Sequence, residues 1–156
     1  MKKLIAFVLT SILILLLVGC SSTHDDDQQQ TGDAAPNRWG VTLVTEQVTE
    51  TGLTLVCHHS GGEDVVELNT GSYYVVQQLK DDLWVDVEFA PQKYDIAWTM
   101  EAWMIPKEDT ITWDVNWEWL YGKLPAGEYR IGKEIMNFRG TGDYDVEMVY
   151  AEFVIE

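Results

Sequence analysis

The chain has 156 residues, and its 26 Asp and Glu against 10 Lys and Arg give a formal net charge of −16 at pH 7. This charge argues against nucleic acid as a partner, because binding to a phosphate backbone needs basic groups that replace condensed counterions. The simplest interpretation of the acidic charge is that it keeps the protein soluble through self-repulsion. The more specific alternative is that it recruits cations or a basic partner.

The first predicted element is a secretion leader. Lys2 and Lys3 precede a mostly apolar run over residues 4–18, which is shorter than the roughly 20 apolar residues of a typical membrane-spanning helix. Polar residues follow the run at once, without a flank that would stop transfer across the membrane. A leader is therefore the main interpretation, and a single membrane-spanning anchor is the alternative.

At the end of the leader, the residues Leu17-Val18-Gly19 and the following Cys20 resemble the bacterial lipobox. In that motif the cysteine receives a diacylglyceryl group and becomes the first residue of the mature protein. Two acyl chains tether a protein stably to a bilayer, since each buried methylene contributes about 0.8 kcal/mol. We therefore predict that residues 1–19 are removed and that lipid on Cys20 anchors the protein to the extracytoplasmic face of the cell membrane.

Residues 20–38 are predicted to form a flexible acidic tether. They are polar and Gln-rich, so they bury too little apolar surface to offset the entropy of ordering. Loss of Lys2 and Lys3 with the leader leaves 8 basic against 26 acidic residues, a formal charge of −18. Anionic lipid headgroups would repel such a chain, so the acyl chains alone would hold it at the membrane.

Residues 39–156 are predicted to form one domain that is built without a disulfide. Cys57 is the only cysteine in this range, so no bridge can form within the domain and a packed core must stabilise it. Short runs rich in Val, Ile, Thr, Tyr and Trp alternate here with Gly, Pro, Asp and Asn, which is typical of an antiparallel β-sandwich. The predicted strands cover residues 40–48, 53–59, 65–68, 73–80, 83–89, 97–105, 110–117, 129–138 and 144–155.

With the turns and loops predicted between them, these strands give an all-β fold, an antiparallel sandwich of about seven to nine strands. Asp81-Asp82 is predicted to be a hairpin turn, residues 90–93 a proline-containing loop, and Glu118 to Tyr121 a single helical turn. The clearest alternation lies in residues 110–117, where apolar side chains stand two apart, as on a strand with one buried face. Trp113 and Trp117 are predicted to be core residues on that face.

The segment Leu124-Pro125-Ala126-Gly127-Glu128-Tyr129 lies before the penultimate strand, the position of an immunoglobulin-type tyrosine corner. There a tyrosine hydroxyl bonds to the backbone a few residues upstream and fixes the crossover between the sheets. Pro125 would fix a backbone φ angle, Gly127 would tolerate the turn, and Tyr129 would begin the strand. An ordinary Pro-Gly turn followed by a core tyrosine is the alternative.

Several segments of the sequence resemble those of a known domain family. They are Gly40-Val-Thr-Leu, Thr51-Gly-Leu-Thr-Leu, the run from Asp114 to Arg130, and Tyr150-Ala-Glu-Phe-Val-Ile. Together they resemble the bacterial immunoglobulin-like domain found in small lipoproteins and beside some envelope-sensing proteins of Gram-positive bacteria. The resemblance implies an immunoglobulin-like antiparallel β-sandwich in a cell-surface setting, and it brings no defined catalytic residues.

Motifs for chemistry are weak in this sequence. His58 and His59 would point to opposite faces of a strand, which disfavours a shared zinc ion, and Cys57 is predicted to be a small core residue. The carboxylates of Asp143, Asp145 and Glu147 stand two apart without the central glycine of a calcium loop. No nucleophile elbow, zinc-protease motif or phosphate loop occurs. We therefore expect no catalytic residues, no metal and no cofactor.

The seven tryptophans are the remaining unusual feature. Trp98, Trp103 and Trp119 could form an exposed platform for a sugar or a protein, although core packing explains tryptophans more simply. We expect a non-enzymatic binding or interaction module whose partner is an unknown envelope protein or glycan. A polysaccharide-binding module that uses exposed tryptophans is the alternative, and an accessory hydrolase with a carboxylate pair is a weaker one.

Overall fold

The computed structural model describes residues 35–156, so the predicted leader, Cys20 and the tether up to residue 34 lie outside the described residues. No helix within residues 35–156 has the length and apolar character needed to cross a bilayer. This described part contains nine strands and one helical turn. In chain order they are β1 (Val41–Thr49), β2 (Gly52–His59), β3 (Leu68–Thr70), β4 (Val75–Lys80), β5 (Leu83–Asp86), β6 (Trp103–Met104), β7 (Asp109–Asn116), α1 (Glu118–Tyr121), β8 (Gly127–Gly140) and β9 (Asp143–Ile155).

The strands form two antiparallel sheets, which confirms the all-β prediction. One sheet has the order β1-β2-β7, and the other is built around the long strand β8. One edge of β8 pairs with β9 along its whole length, while the opposite edge pairs first with β4 and then with β3. β5 continues the sheet beyond β4, and β6 continues it beyond β3.

The core lies between the two sheets and follows the two-residue period of the strands. On β8 the inward positions include Tyr129, Ile131 and Ile135, each of which is almost completely buried. On β7 the predicted alternation is confirmed, because Ile111, Trp113 and Val115 are more buried than the residues between them. Cys57 on β2 is also fully buried, as predicted.

An aromatic stack ties the two sheets together. The ring of Trp117 lies 5.5 Å from that of Phe153 on β9, and Phe153 lies 5.6 Å from Tyr129 on β8. Trp117 is completely buried, and its indole Nε1–H donates a hydrogen bond to the Glu50 carbonyl at 3.0 Å. Each buried aromatic ring removes a large apolar area from water, so this stack supplies stability that a disulfide would otherwise provide.

Three predicted strands differ from the observed ones. The predicted strand 97–105 is wrong for most of its length, since only Trp103–Met104 pairs, with Asn69 and Thr70 of β3. β3 is three residues long, which leaves the chain before Trp103 without a strand partner. The predicted strand 65–68 instead begins at Leu68, and the predicted strand 83–89 ends at Asp86.

Two local predictions are confirmed. Asp81 and Asp82 form the turn of the β4–β5 hairpin with φ angles of 49° and 62°, a left-handed geometry that suits the twist of two-residue hairpins and that Asp tolerates. The helical turn α1 spans Glu118–Tyr121, and it buries Leu120 and Tyr121 while leaving Trp119 half exposed.

The turn before β8 has the hydrogen bond of a tyrosine corner. The Tyr129 hydroxyl donates to the Pro125 carbonyl at 2.9 Å, and the Tyr129 ring is 1% exposed. The chain leaving α1 is thereby fixed against the start of β8, where it passes from one sheet to the other.

We predict that Tyr129→Phe keeps the fold but lowers the free energy of unfolding by about 1 kcal/mol, the usual net contribution of one hydrogen bond. Urea unfolding of the full chain measures this change. Tyr144→Phe is the matched control, because Tyr144 is half exposed and its loss of a hydroxyl should be nearly neutral. Equal unfolding midpoints for Tyr129→Phe and the unsubstituted protein would contradict a stabilising role for the bond.

Candidate functional site

A cavity of about 250 Å³ lies at the edge of the sandwich, next to β7 and beneath the chain segment 97–103. Side chains from both sheets, from this segment and from α1 meet around it. We call it the aromatic cavity, and its main lining residues are Tyr74, Trp98, Trp103, Trp113, Trp119 and Lys133.

The outer part of the cavity is formed by Trp98 and Trp119. Their rings meet edge to face at 5.7 Å, and Trp98 also meets the buried Tyr74 at 5.1 Å. Trp119 is 50% exposed, because the neighbouring residues of α1 take the buried positions. Gln92 fixes the preceding loop to this turn by donating hydrogen bonds to the carbonyls of Trp119 and Leu120.

The inner part of the cavity is formed by Trp103 on β6 and Trp113 on β7. These two rings come from opposite sheets and stack at 6.2 Å with an interplanar angle of 26°. Trp113 is half-buried on the cavity wall, whereas the sequence predicts it as a core residue. The three tryptophans that the sequence singles out, Trp98, Trp103 and Trp119, therefore all line one cavity.

Sequence reasoning missed Lys133. It occupies an inward position of β8 between Ile131 and Ile135, and it is 2% exposed. Its Nζ donates a hydrogen bond to the Gly71 carbonyl and lies 5.0 Å from the Trp103 ring centroid and 5.6 Å from that of Trp113. The two-residue alternation of β8 was the signal that could have found it, since Lys133 shares its parity with Ile131 and Ile135.

Burial dominates the electrostatics of Lys133. Desolvation lowers the pKa of its amine to about 8, and the negative charge of Glu134 opposes this shift. The amine is therefore mainly charged at neutral pH. The Gly71 carbonyl and the two indole faces offset part of the desolvation, because an ammonium is attracted to the face of an aromatic ring.

The cavity offers a small ligand both apolar ring faces and one charged amine. Aromatic faces stack against apolar surfaces, and Lys133 supplies a positively charged amine, one of whose three N–H groups is used by the Gly71 carbonyl. The hydroxyl of Ser72 at the rim already donates to the Thr99 carbonyl at 2.9 Å. Within residues 35–156 no group of three or more His, Cys, Asp or Glu side chains is placed to hold a metal ion.

The Cys57-His58-His59 segment lies away from this cavity. His58 is exposed and contacts the Thr110 hydroxyl at 2.8 Å, while His59 is buried with its Nδ1 3.0 Å from the Pro106 carbonyl. The two imidazoles thus lie on opposite faces of β2, as alternation predicts. Burial raises the pKa of the Cys57 thiol to about 12, so this cysteine is unreactive at neutral pH.

The carboxylates of Asp143, Asp145 and Glu147 are held by arginines. Arg139 contacts Asp143 at 2.7 Å and Asp145 at 2.8 Å, and Arg38 contacts Glu147 at 2.6 Å. Hydrogen bonding from Arg139 also lowers the pKa of Asp145. These side chains form an exposed ion-pair network that extends from β9 to Arg38, which the sequence assigns to the tether.

A second cavity, of about 520 Å³, lies on the other side of segment 99–102. Glu67, Glu101 and Glu134 contribute carboxylates to it, and Met136 and Phe138 contribute apolar surface. Lys133 and Glu134 are neighbours on β8, so they point to opposite faces of the sheet. The amine of Lys133 consequently faces the aromatic cavity, whereas the carboxylate of Glu134 faces the second cavity with those of Glu67 and Glu101.

The buried amine predicts a distinctive pH dependence of stability. The pKa of Lys133 is lower in the folded protein than its ordinary value of 10.5, so between about pH 8 and 10.5 the unfolded state binds more protons and stability rises with pH. Lys133→Met removes this pH dependence. We therefore predict that its effect on the free energy of unfolding, relative to the unsubstituted protein, is more stabilising at pH 7 than at pH 10 by about 2–3 kcal/mol.

Urea unfolding of the full chain at both pH values measures this difference. Lys80→Met is the matched control, because Lys80 is exposed at the end of β4 and its removal should leave the pH dependence unchanged. A pH-independent effect of Lys133→Met would contradict a desolvated amine at this position.

Comparison with known proteins identifies the family. The family model described as a bacterial Ig-like domain matches residues 37–153, which include all nine strands but for the last residues of β9. A search of curated proteins found no match to the chain. Two antiparallel sheets, a tyrosine-corner bond and this match agree with the resemblance drawn from the sequence, so the chain belongs to the bacterial Ig-like domain family.

Proposed function

We propose that this protein is a lipid-anchored, non-enzymatic interaction module displayed outside the cytoplasmic membrane. The observation that carries the proposal is an Ig-like domain whose two sheets leave an aromatic cavity at their edge. Domains of this family suggest binding rather than catalysis. The lipobox-like Leu17-Val18-Gly19-Cys20 supports the anchor, and the acidic residues between Cys20 and the domain support a short tether.

The exposure of Trp119 supports binding over a purely structural role for the aromatic residues. Trp117 shows how this chain packs a core indole, with no exposure and a hydrogen bond on Nε1. Trp119, two residues later, leaves half of its surface in water. An indole at the mouth of a cavity loses that exposed apolar area when a ligand covers it, which makes binding favourable.

Metabolic labelling tests the anchor: bacteria that express the full chain are grown with a labelled fatty acid. We expect label on the unsubstituted protein and its complete loss in Cys20→Ala. Cys57→Ala is the matched control and should retain the label, since Cys57 is buried in the core. An unlabelled protein, or label that persists in Cys20→Ala, would show that the anchor is assigned wrongly.

A polysaccharide-binding module is the second candidate. The specific observation in its favour is that Trp98, Trp103 and Trp119 line one cavity, because aromatic faces stack against the apolar faces of sugar rings. A glycan array probed with the full chain tests it. Binding should be lost in Trp119→Ala and kept in Trp84→Ala, whose ring stacks on Arg130 instead. An array without reproducible binding would remove this candidate.

A further inference from the structure

Lys133 is the only Lys, Arg, Asp or Glu that the described part of the chain buries. A fully buried lysine is rare unless it is paired with an anion. Within residues 35–156 no carboxylate lies within ion-pair distance of its Nζ, and the Gly71 carbonyl accepts a single one of its hydrogen bonds. The cavity thus contains a positive charge whose partner the domain itself does not supply.

The surroundings of this amine restrict which anion could join it. Asp114 on β7 lines the same cavity, and it accepts a hydrogen bond from Thr54 at 3.0 Å. Glu134 follows Lys133 on β8. Burial raises the pKa of Tyr74 on the cavity wall, so the hydroxyl of Tyr74 stays neutral. With a formal net charge of −16 on the chain, a multiply charged anion would be repelled, whereas one negative group on a mainly apolar ligand fits.

The size of the cavity restricts the rest of the ligand. A volume of about 250 Å³ is below the roughly 300–1,000 Å³ of pockets for drug-sized molecules, so it suits a single substituted ring. Trp98 and Trp119 form its outer wall and Trp103 and Trp113 its inner wall. Ring faces of this kind stack against an aromatic ring or against the apolar face of a sugar.

We propose that the aromatic cavity binds a ring-sized monocarboxylate, with its ring against the tryptophans and its carboxylate on Nζ of Lys133. This inference rests on the proposed function, that of a module that binds a ligand without catalysis. The shared chemistry is one carboxylate on a single ring that has an apolar face, and the ligand is either an aromatic acid or a sugar acid.

The test is a calorimetric titration of the full-length protein in detergent with two pairs of probes. Phenylacetate is compared with neutral phenylacetamide, and glucuronate is compared with neutral glucose. We expect at least one carboxylate to bind ten-fold or more tightly than its neutral counterpart at pH 6.5. The pair that shows this preference tells whether the ligand is an aromatic acid or a sugar acid.

The pH dependence supplies a second readout that needs no substitution. A carboxylate on Lys133 requires the charged amine, whose pKa is about 8, so affinity should fall by about 30-fold between pH 6.5 and 9.5. The probe carboxylate stays ionised throughout this range, so the fall reports on the protein. Affinity that is constant between these pH values would overturn the assignment to Lys133.

Lys133→Met retains a long apolar side chain and removes the charge. It should abolish the preference for the carboxylate over its neutral counterpart, whereas Lys80→Met, on the exposed end of β4, should leave that preference intact. Equal binding of charged and neutral probes by the unsubstituted protein would overturn the proposal, and so would the absence of binding by both carboxylates.

The two proposals fail separately. If Cys20 is lipidated but neither carboxylate binds, the inference is wrong and the anchored module stands. If a carboxylate binds through Lys133 while fatty-acid labelling fails, the cavity is assigned correctly and the anchor is wrong.

Discussion

The alternation of side chains along β8 places both the core and the buried amine of this domain. This strand pairs with β9 on one edge and with β4 and β3 on the other. One face of the resulting sheet packs on the core, so every second residue of β8 lies inside the sandwich. Tyr129, Ile131 and Ile135 fill such inward positions with apolar surface. Lys133 instead places a charged amine at an inward position, and the groups next to this amine are indole rings rather than a carboxylate.

Aromatic packing explains how the domain tolerates both a buried amine and the lack of a disulfide. The stack of Trp117, Phe153 and Tyr129 fills one end of the sandwich, and the tyrosine-corner bond to Pro125 fixes the chain that enters β8. At the β7 edge, Trp103 and Trp113 come together from opposite sheets over Lys133. The same type of side chain thus builds a closed core in one place and an open cavity in another.

Much of the fold follows from local patterns in the sequence. The alternation in β7, the Asp81-Asp82 hairpin and the Pro125-to-Tyr129 turn each depend on residues close together in the chain, so periodicity and turn chemistry were sufficient to predict them. The strand predicted at 97–105 was wrong because its pairing depends on β3, which is distant in sequence and three residues long. Apolar composition alone gives no information about whether such a partner exists.

The candidate site was only partly predictable for the same reason. Trp98, Trp103 and Trp119 stood out by residue type, but their convergence on one cavity depends on the path of segment 97–103 across the sandwich edge. Lys133 was hidden because a lysine in a strand is usually taken as an outward residue, although its parity with Ile131 and Ile135 places it inside.

An NMR titration of the full chain with ¹³C-labelled lysine side chains measures directly whether Lys133 is a buried amine. We expect one lysine resonance that titrates near pH 8, well below the ordinary value of 10.5, and that is absent from Lys133→Met. Titration of every lysine close to 10.5 would contradict this expectation, because Lys133 would then be in water and the cavity would not contain a buried amine.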